Sequence, residues 1–216
     1  EAAGVQLSRG TLTNNAHGAI ELLRPIYQCQ FDSVVASAVA AMDETPIKAG
    51  RREKGKLQKS YFWPVYGDKD EVIFPWSSSH AAAEIEKILG NFDGTLLTDG
   101  NASYASYAAA MEKVRHAECW SHTRRTFLKA EAVEPERVAT ALGYIRGLYA
   151  VEDQIKERKL DGAAKLDHRV KHSKPVVEAF FEWLSKEQSS QSLLPSNLFS
   201  KAAAYALPRE KALSVF

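Results

Sequence analysis

The amino-acid sequence predicts an α/β fold, a mixed sheet flanked by helices, with an all-helical subdomain at its C-terminal end. Three observations lead there. Short aromatic and β-branched runs recur through the first half of the chain, segments with helical spacing alternate with them, and from Ser121 onward the pattern is helical almost to the end.

Taken in order, Leu7 to Arg24 (LSRGTLTNNAHGAIELLR) reads as a turn and then a helix, with Ile20, Leu22 and Leu23 as apolar positions before Pro25. Val34 to Met42 (VVASAVAAM) is a short apolar run that suits a buried strand, although its alanines also suit a helix. A basic stretch, Lys48 to Lys59, follows. Ser60 to Tyr66 (SYFWPVY) and Glu71 to Trp76 (EVIFPW) predict a hairpin closed by Gly67-Asp68-Lys69-Asp70, with Pro64 and Pro75 weakening the ladder where they fall. Ser79 is a natural N-cap for a helix from His80 to Leu89. Gly94 to Thr98 (GTLLT) reads as a strand, Tyr104 to Lys113 as a helix of small residues, and Val114 to Trp120 as a second strand. The helical block divides into Ser121–Ala130, Pro135–Glu157, Leu160–His172, Pro175–Lys186 and Leu198–Ala206. Val176, Val177, Phe180, Phe181 and Leu184 supply the spacing of one apolar face.

Composition bounds the answer without choosing it. Hydrophobic residues at 45% and charged residues at 25% over 216 residues describe an ordinary globular chain rather than a disordered one. A net charge of +1 leaves nucleic-acid binding open, provided that basic residues gather on one face. Cys29 and Cys119 sit in unlike contexts, so a reducing cytoplasm fits better than a disulfide framework. No run of about 18 apolar residues suggests a membrane span, and Glu1 to Gly10 lack the features of a signal peptide. The absence of an initiator Met and the mid-domain character of the first residues lead to the expectation of a fragment.

Two aspartates close predicted buried strands: Asp43 ends VVASAVAAM and Asp99 ends GTLLT. Carboxylates at neighbouring strand ends converge, and their hard oxygens suit Mg²⁺ alongside water and substrate phosphate. The alternative is plain turn chemistry, since Asp-Gly is a common turn dipeptide and Asp43-Glu44-Thr45-Pro46 can simply open a loop. Cys119-Trp120-Ser121-His122 is a C-x-x-H string at a strand-to-helix junction. Structural zinc needs a second ligand pair, which Cys29 and the other histidines do not offer. A buried Cys with His122 bonded to nearby backbone is the expected role. His168 and His172 stand one helical turn apart among Arg169, Lys171 and Lys174, which reads as a solvated basic face. Positive charge is dense at Lys48, Arg51, Arg52, Lys54, Lys56 and Lys59, again at Arg124, Arg125 and Lys129, and from Lys165 to Lys174. Phosphate contacts draw on such groups. Arg124 and Arg125 are the preferred pair, because they follow the strand expected to flank the aspartates.

The strings Asp43-Glu44-Thr45-Pro46, Leu97-Thr98-Asp99-Gly100 and Cys119-Trp120-Ser121-His122-Thr123-Arg124-Arg125-Thr126-Phe127 together resemble the catalytic core of the insertion sequence 66 family of DDE transposases. Leu148-Tyr149-Ala150-Val151-Glu152, Ser173-Lys174-Pro175 and Lys201 to Leu207 resemble that family's helical region. The resemblance implies a ribonuclease-H-like fold in three parts. Residues 1–30 would be a helical lead-in left from a DNA-binding or linker region, 31–130 the catalytic core, and 131–216 a helical insertion. It implies Asp43 and Asp99 as catalytic metal ligands and Mg²⁺ or Mn²⁺ as cofactor. Arg124, Arg125, Lys56 and Lys59 become DNA contacts, and Cys119 and His122 a structural motif. Transposon ends and target DNA are the implied partners, with homo-oligomerisation of the full-length protein, no membrane, and a bacterial cytoplasmic, nucleoid-associated location. The chemistry would be DNA cleavage and strand transfer. The family's third carboxylate, a Glu in an Asn-Asn-x-x-Glu-Arg string, has no counterpart after Ala206, so the 216-residue chain is expected to be inactive alone. Two other readings stay open. One is a non-catalytic DNA- or partner-binding remnant, and the other a stand-alone nuclease drawing a third acid from the helical block.

Overall fold

The computed structural model describes residues 7–53, 55–190 and 193–216, with residues 50–53 described as backbone alone. Its elements are mixed α and β, and they fall into two compact units, Glu1–Thr95 and Leu96–Phe216.

The first unit opens with helix α1, Arg9–Val35, which Ser8 caps by accepting the Thr11 N–H at 3.1 Å. The helix runs through Pro25, past the stop expected there, and takes up the first two residues of the predicted strand. Proline removes one backbone donor and crowds the preceding turn, but solvent surrounds most of α1 and leaves room for that adjustment. Its C-terminal turns are anchored. Gln30 Nε2 donates to the Val72 carbonyl at 2.9 Å, Ser33 Oγ donates to Glu71 at 2.8 Å, and Val34 is buried.

Strand β1 is Val39–Met42, shorter than the apolar run suggested, with Ala40 and Met42 buried and Val39 exposed. A long hairpin follows, β2 (Thr45–Glu53) against β3 (Lys56–Phe62). The basic stretch is therefore a two-stranded ribbon. Strands β4 (Val65–Tyr66) and β5 (Val72–Ile73) form the predicted hairpin around residues 67–71, much shortened, and β4 also pairs antiparallel with β1. Pro64 and Pro75 flank these short strands. Beside Pro75, β6 (Trp76–Ser77) joins β3, so the neighbour order is β5-β4-β1 in one sheet and β2-β3-β6 in the other. Helix α2 is Ala82–Leu89. Its N-cap is Ala81, and Ser79 acts one step earlier by accepting the Ala81 N–H at 3.1 Å. Gly94 has a steric reason to be glycine: a Cβ there would stand 2.5 Å from the Ala38 carbonyl oxygen, while the Thr95 N–H donates to that same oxygen at 2.9 Å.

The second unit takes in most of strand β7 (Gly94–Thr98), helix α3 (Ala102–Ala110), strand β8 (Val114–Glu118) beside β7, and a helical block. The block contains α4 (Trp120–Leu128), α5 (Pro135–Glu157), α6 (Gly162–His172), α7 (Lys174–Ser189), α8 (Leu198–Ala206), a single 3₁₀ turn (Leu207–Arg209) and α9 (Glu210–Leu213). Its core is aromatic. Phe180 packs edge-on against Trp120, Phe127, Tyr144 and Phe181, and Phe127 against Phe199. Such T-shaped contacts set the positive ring edge against the negative face and add to the burial of large apolar surface. Among the described residues, no helix is long and apolar enough to cross a membrane.

Candidate functional site

Asp43 follows β1 in the first unit. Its N–H donates to the Pro64 carbonyl at 3.2 Å, and its Oδ1 accepts the Glu44 N–H at 2.8 Å, so the carboxylate sits exposed at a stiffened strand end. Lys56 and Lys59 are exposed on β3, with the Lys59 ammonium 5.3 Å from the centre of the Tyr61 ring. The side chains of Arg51 and Arg52, and the whole of Lys54, lie outside the described residues.

Asp99 follows β7 in the second unit and has the richer surroundings. Its Oδ1 accepts the Asn101 N–H at 2.9 Å, and Asn101 in turn caps α3 by accepting the Ser103 N–H at 3.0 Å. These two successive side-chain-to-backbone bonds turn the chain from strand to helix in three residues. The buried Thr98 hydroxyl donates to the Asp99 carbonyl at 2.9 Å and lies 2.9 Å from His116 Nε2 on β8. Burial holds the His116 pKa below the ordinary imidazole range, against an opposing pull from the negative charge of Asp99.

Two residues that the motif reading passed over complete this end of the unit. Glu118, the last residue of β8, has a side chain only 8% exposed, and burial lifts its carboxyl pKa to about 7; Arg209 opposes the rise and Asp99 adds to it. Arg209 Nε lies 3.1 Å from Glu118 Oε2. The same guanidinium donates to the Gly100 carbonyl at 2.7 Å and to the Tyr205 carbonyl at 2.6 Å, and stacks 4.0 Å from the centre of the Tyr205 ring. Arg209 thus ties the turn after Asp99 to the end of α8. No sequence signal marked Glu118 or Arg209, since their pairing spans ninety residues of chain and depends on tertiary packing.

In the Cys119–His122 string, the Cys119 N–H donates to the Thr98 carbonyl at 2.9 Å, and Trp120 Nε1 donates to the Leu213 carbonyl at 3.0 Å. Cys119 is half-buried. Among the described residues, His122 Nδ1 is buried without a hydrogen-bond partner, so the backbone bond expected of this residue is not made there at that nitrogen. Among the described residues, no group of three or more His, Cys, Asp or Glu side chains is placed to hold a metal ion. Each aspartate offers hard oxygen at a strand end, which fits a divalent cation that draws its remaining ligands from water and phosphate. Arg124 and Arg125 are both exposed on α4, beside an open groove.

Comparison with known proteins supplies the family. An uncharacterized protein, y4hP, of Sinorhizobium fredii (strain NBRC 101917 / NGR234) is 24% identical over 212 residues, covering 88% of this chain and 38% of its own length. A second from the same organism, the uncharacterized protein y4jD, is 25% identical over 231 residues, covering 99% of this chain and 44% of its own. The chain therefore spans less than half the length of these relatives. The family model described as "Transposase IS66 family" matches residues 1–216, so this chain belongs to the IS66 family of transposases.

Proposed function

We propose that this chain is part of a DDE-type transposase that cuts DNA and transfers the cut strand, with Asp43 and Asp99 as two members of the acidic triad on a ribonuclease-H-like core. The family match over all 216 residues carries the reading. The chemistry of the strand ends supports it. Asp43 and Asp99 each hold one oxygen on a neighbouring backbone N–H, which orients the carboxylate.

The cofactor in this proposal is Mg²⁺ or Mn²⁺, held by Asp43 and Asp99. When bound, it would sharpen an attacking oxygen and stabilise the leaving one. The chain's own residues do the positioning. The Asn101 N–H fixes the Asp99 carboxylate, Thr98 and His116 brace the strand beneath it, and Arg124 and Arg125 engage DNA phosphates. Lys56 and Lys59 are proposed to contact DNA from the first unit. Cys119 and His122 keep a structural role. The family's third carboxylate is assigned to no residue of this sequence.

The test compares the product of the complete reading frame that encodes this sequence with the 216-residue chain. The substrate is a plasmid bearing the DNA that flanks the gene. The complete product is expected to cleave at the element ends in Mg²⁺ and not in EDTA. Asp43→Asn and Asp99→Asn are each expected to lower the rate by at least about a hundredfold. Full activity in either variant would overturn the assignment. Vigorous cleavage by the 216-residue chain alone would show that a third ligand lies within it.

A further inference from the structure

Helices α4 and α5 border an open groove of about 540 Å³ in the second unit. Ser121, Arg124 and Arg125 line it from α4, at the i, i+3, i+4 spacing that places side chains on one helix face. Leu142, Arg146 and Tyr149 line it from α5 at equivalent spacing. The Ser121 and Tyr149 hydroxyls meet at 3.2 Å and tie the two helices together. Among the described residues, no carboxylate lines the groove.

The state of the arginines is the informative point. Arg24, Arg137, Arg169 and Arg209 each lie against a glutamate. Arg124, Arg125 and Arg146 are exposed, and among the described residues none of them is ion-paired. Three guanidinium groups around one concavity repel one another unless an anion joins them. Their planar donor forks match phosphate oxygens in pairs. Another groove of the unit, about 440 Å³, makes the contrast: Glu134, Glu136 and Glu187 line it, and its Arg137 is already held by Glu134 and Glu187.

We infer that the α4–α5 groove is a phosphodiester-backbone site, in which Arg146 of α5 joins Arg124 and Arg125 of α4 in clamping successive phosphates of a DNA strand. The ligand's identity as DNA rests on the transposase reading; the groove's preference for phosphate rests on its own residues. The bonded Tyr149–Ser121 pair leaves one hydroxyl proton free as a neutral donor beside the clamp, and Leu142 supplies an apolar wall against which a sugar can lie. The contacts are to backbone, so the site binds without regard to sequence.

The experiment measures binding of the 216-residue chain to a fluorescein-labelled 30-base-pair duplex by anisotropy, in EDTA, across a salt series. Working without metal separates the groove from the cleavage test above. Arg146→Gln is expected to weaken binding several-fold at moderate salt and to reduce the slope of log affinity against log salt by about 0.9, the contribution of one neutralised phosphate. The triple Gln variant of residues 124, 125 and 146 should lose about three times that slope. Arg146→Lys should keep most of the slope. Arg158→Gln removes the same charge from the far end of α5 and should leave the slope unchanged. Wild-type slope in Arg146→Gln, an equal loss in Arg158→Gln, or no duplex binding by the wild-type chain would each overturn the proposal. Cleavage that survives any of these results would leave the transposase reading standing without this site.

Discussion

At Asp99 the chain passes from strand to helix, and Gly100 makes the turn passable. A Cβ at Gly100 would lie 2.4 Å from the Tyr205 hydroxyl oxygen and 2.5 Å from Arg209 Nε, closer than packed atoms approach. Gly100→Ala must push away the ring and guanidinium that brace the turn. It is expected to cost about 1–3 kcal/mol, the range for overpacking a filled site. Chemical denaturation should show that loss, and an unchanged midpoint would mean that Tyr205 and Arg209 shift freely. Arg209→Met is expected to cost more, about 3 kcal/mol, because it leaves the Glu118 carboxyl buried without its counter-charge and removes donors from two carbonyls. Pairing it with Glu118→Gln should recover part of the loss, and simple additivity in the double variant would show that the two side chains do not act as a pair. The place of Asp99 was legible in the sequence, because the strand GTLLT ends at Thr98 as read, although an Asp-Gly turn accounts for that string as well as a metal ligand does. Its supports were not, since Glu118 and Arg209 meet through folding rather than through spacing.

Among the elements, the helical block was the most legible part. The predicted bounds of α5 match the observed Pro135–Glu157, and those of α8 match Leu198–Ala206, because proline or an Asn cap marks each start and the apolar spacing is unbroken. The β elements were read less well. VVASAVAAM carries no punctuation between the last turn of α1 and the first residue of β1, so helix and strand merged into one apolar run. The β2–β3 ribbon stayed hidden because its residues are mostly charged or small rather than alternately apolar. The hairpin at β4–β5 was visible from its turn residues, while the prolines beside it cut its length. Within the helical block, α7 carries the central side chain. Phe180 is fully buried and touches aromatic rings from α4, α5 and α7. Phe180→Ala is therefore expected to destabilise the second unit by about 3–5 kcal/mol. Trp120→Phe keeps most of the packing but loses the bond to the Leu213 carbonyl, for about 1 kcal/mol. Thermal unfolding that ranks these two the other way would place the anchor of α4 in that hydrogen bond rather than in the rings.

Across the whole molecule, opposing charge effects decide how stability follows pH. Glu152, held by Arg169, and Glu84, held by Lys87, have pKa values below the ordinary carboxylate range. The stability they contribute is present above the unfolded value and lost as pH falls through the folded one. His116 acts in the same direction from a higher range, since burial disfavours its protonated form. Glu118 has the reverse sign. Its pKa rises from 4.5 unfolded to about 7 folded, so between those values the folded chain keeps a proton that the unfolded chain has released. Its contribution is complete below about pH 4.5 and disappears as pH climbs through about 7. Wild-type stability should accordingly rise less steeply over that window than the other groups alone would dictate. Glu118→Gln keeps the shape and removes the titration. Unfolding midpoints in EDTA at fixed ionic strength should show the variant gaining on the wild type as pH increases from 4.5 to 7, and holding a constant difference beyond about 8. The loss of the partner of Arg209 shifts the variant by an amount that does not depend on pH in this range, so the test lies in the slope and not in the offset. Parallel curves through the whole window would mean that the Glu118 carboxyl ionises as freely in the fold as out of it, and that the ion pair with Arg209 fully offsets the burial.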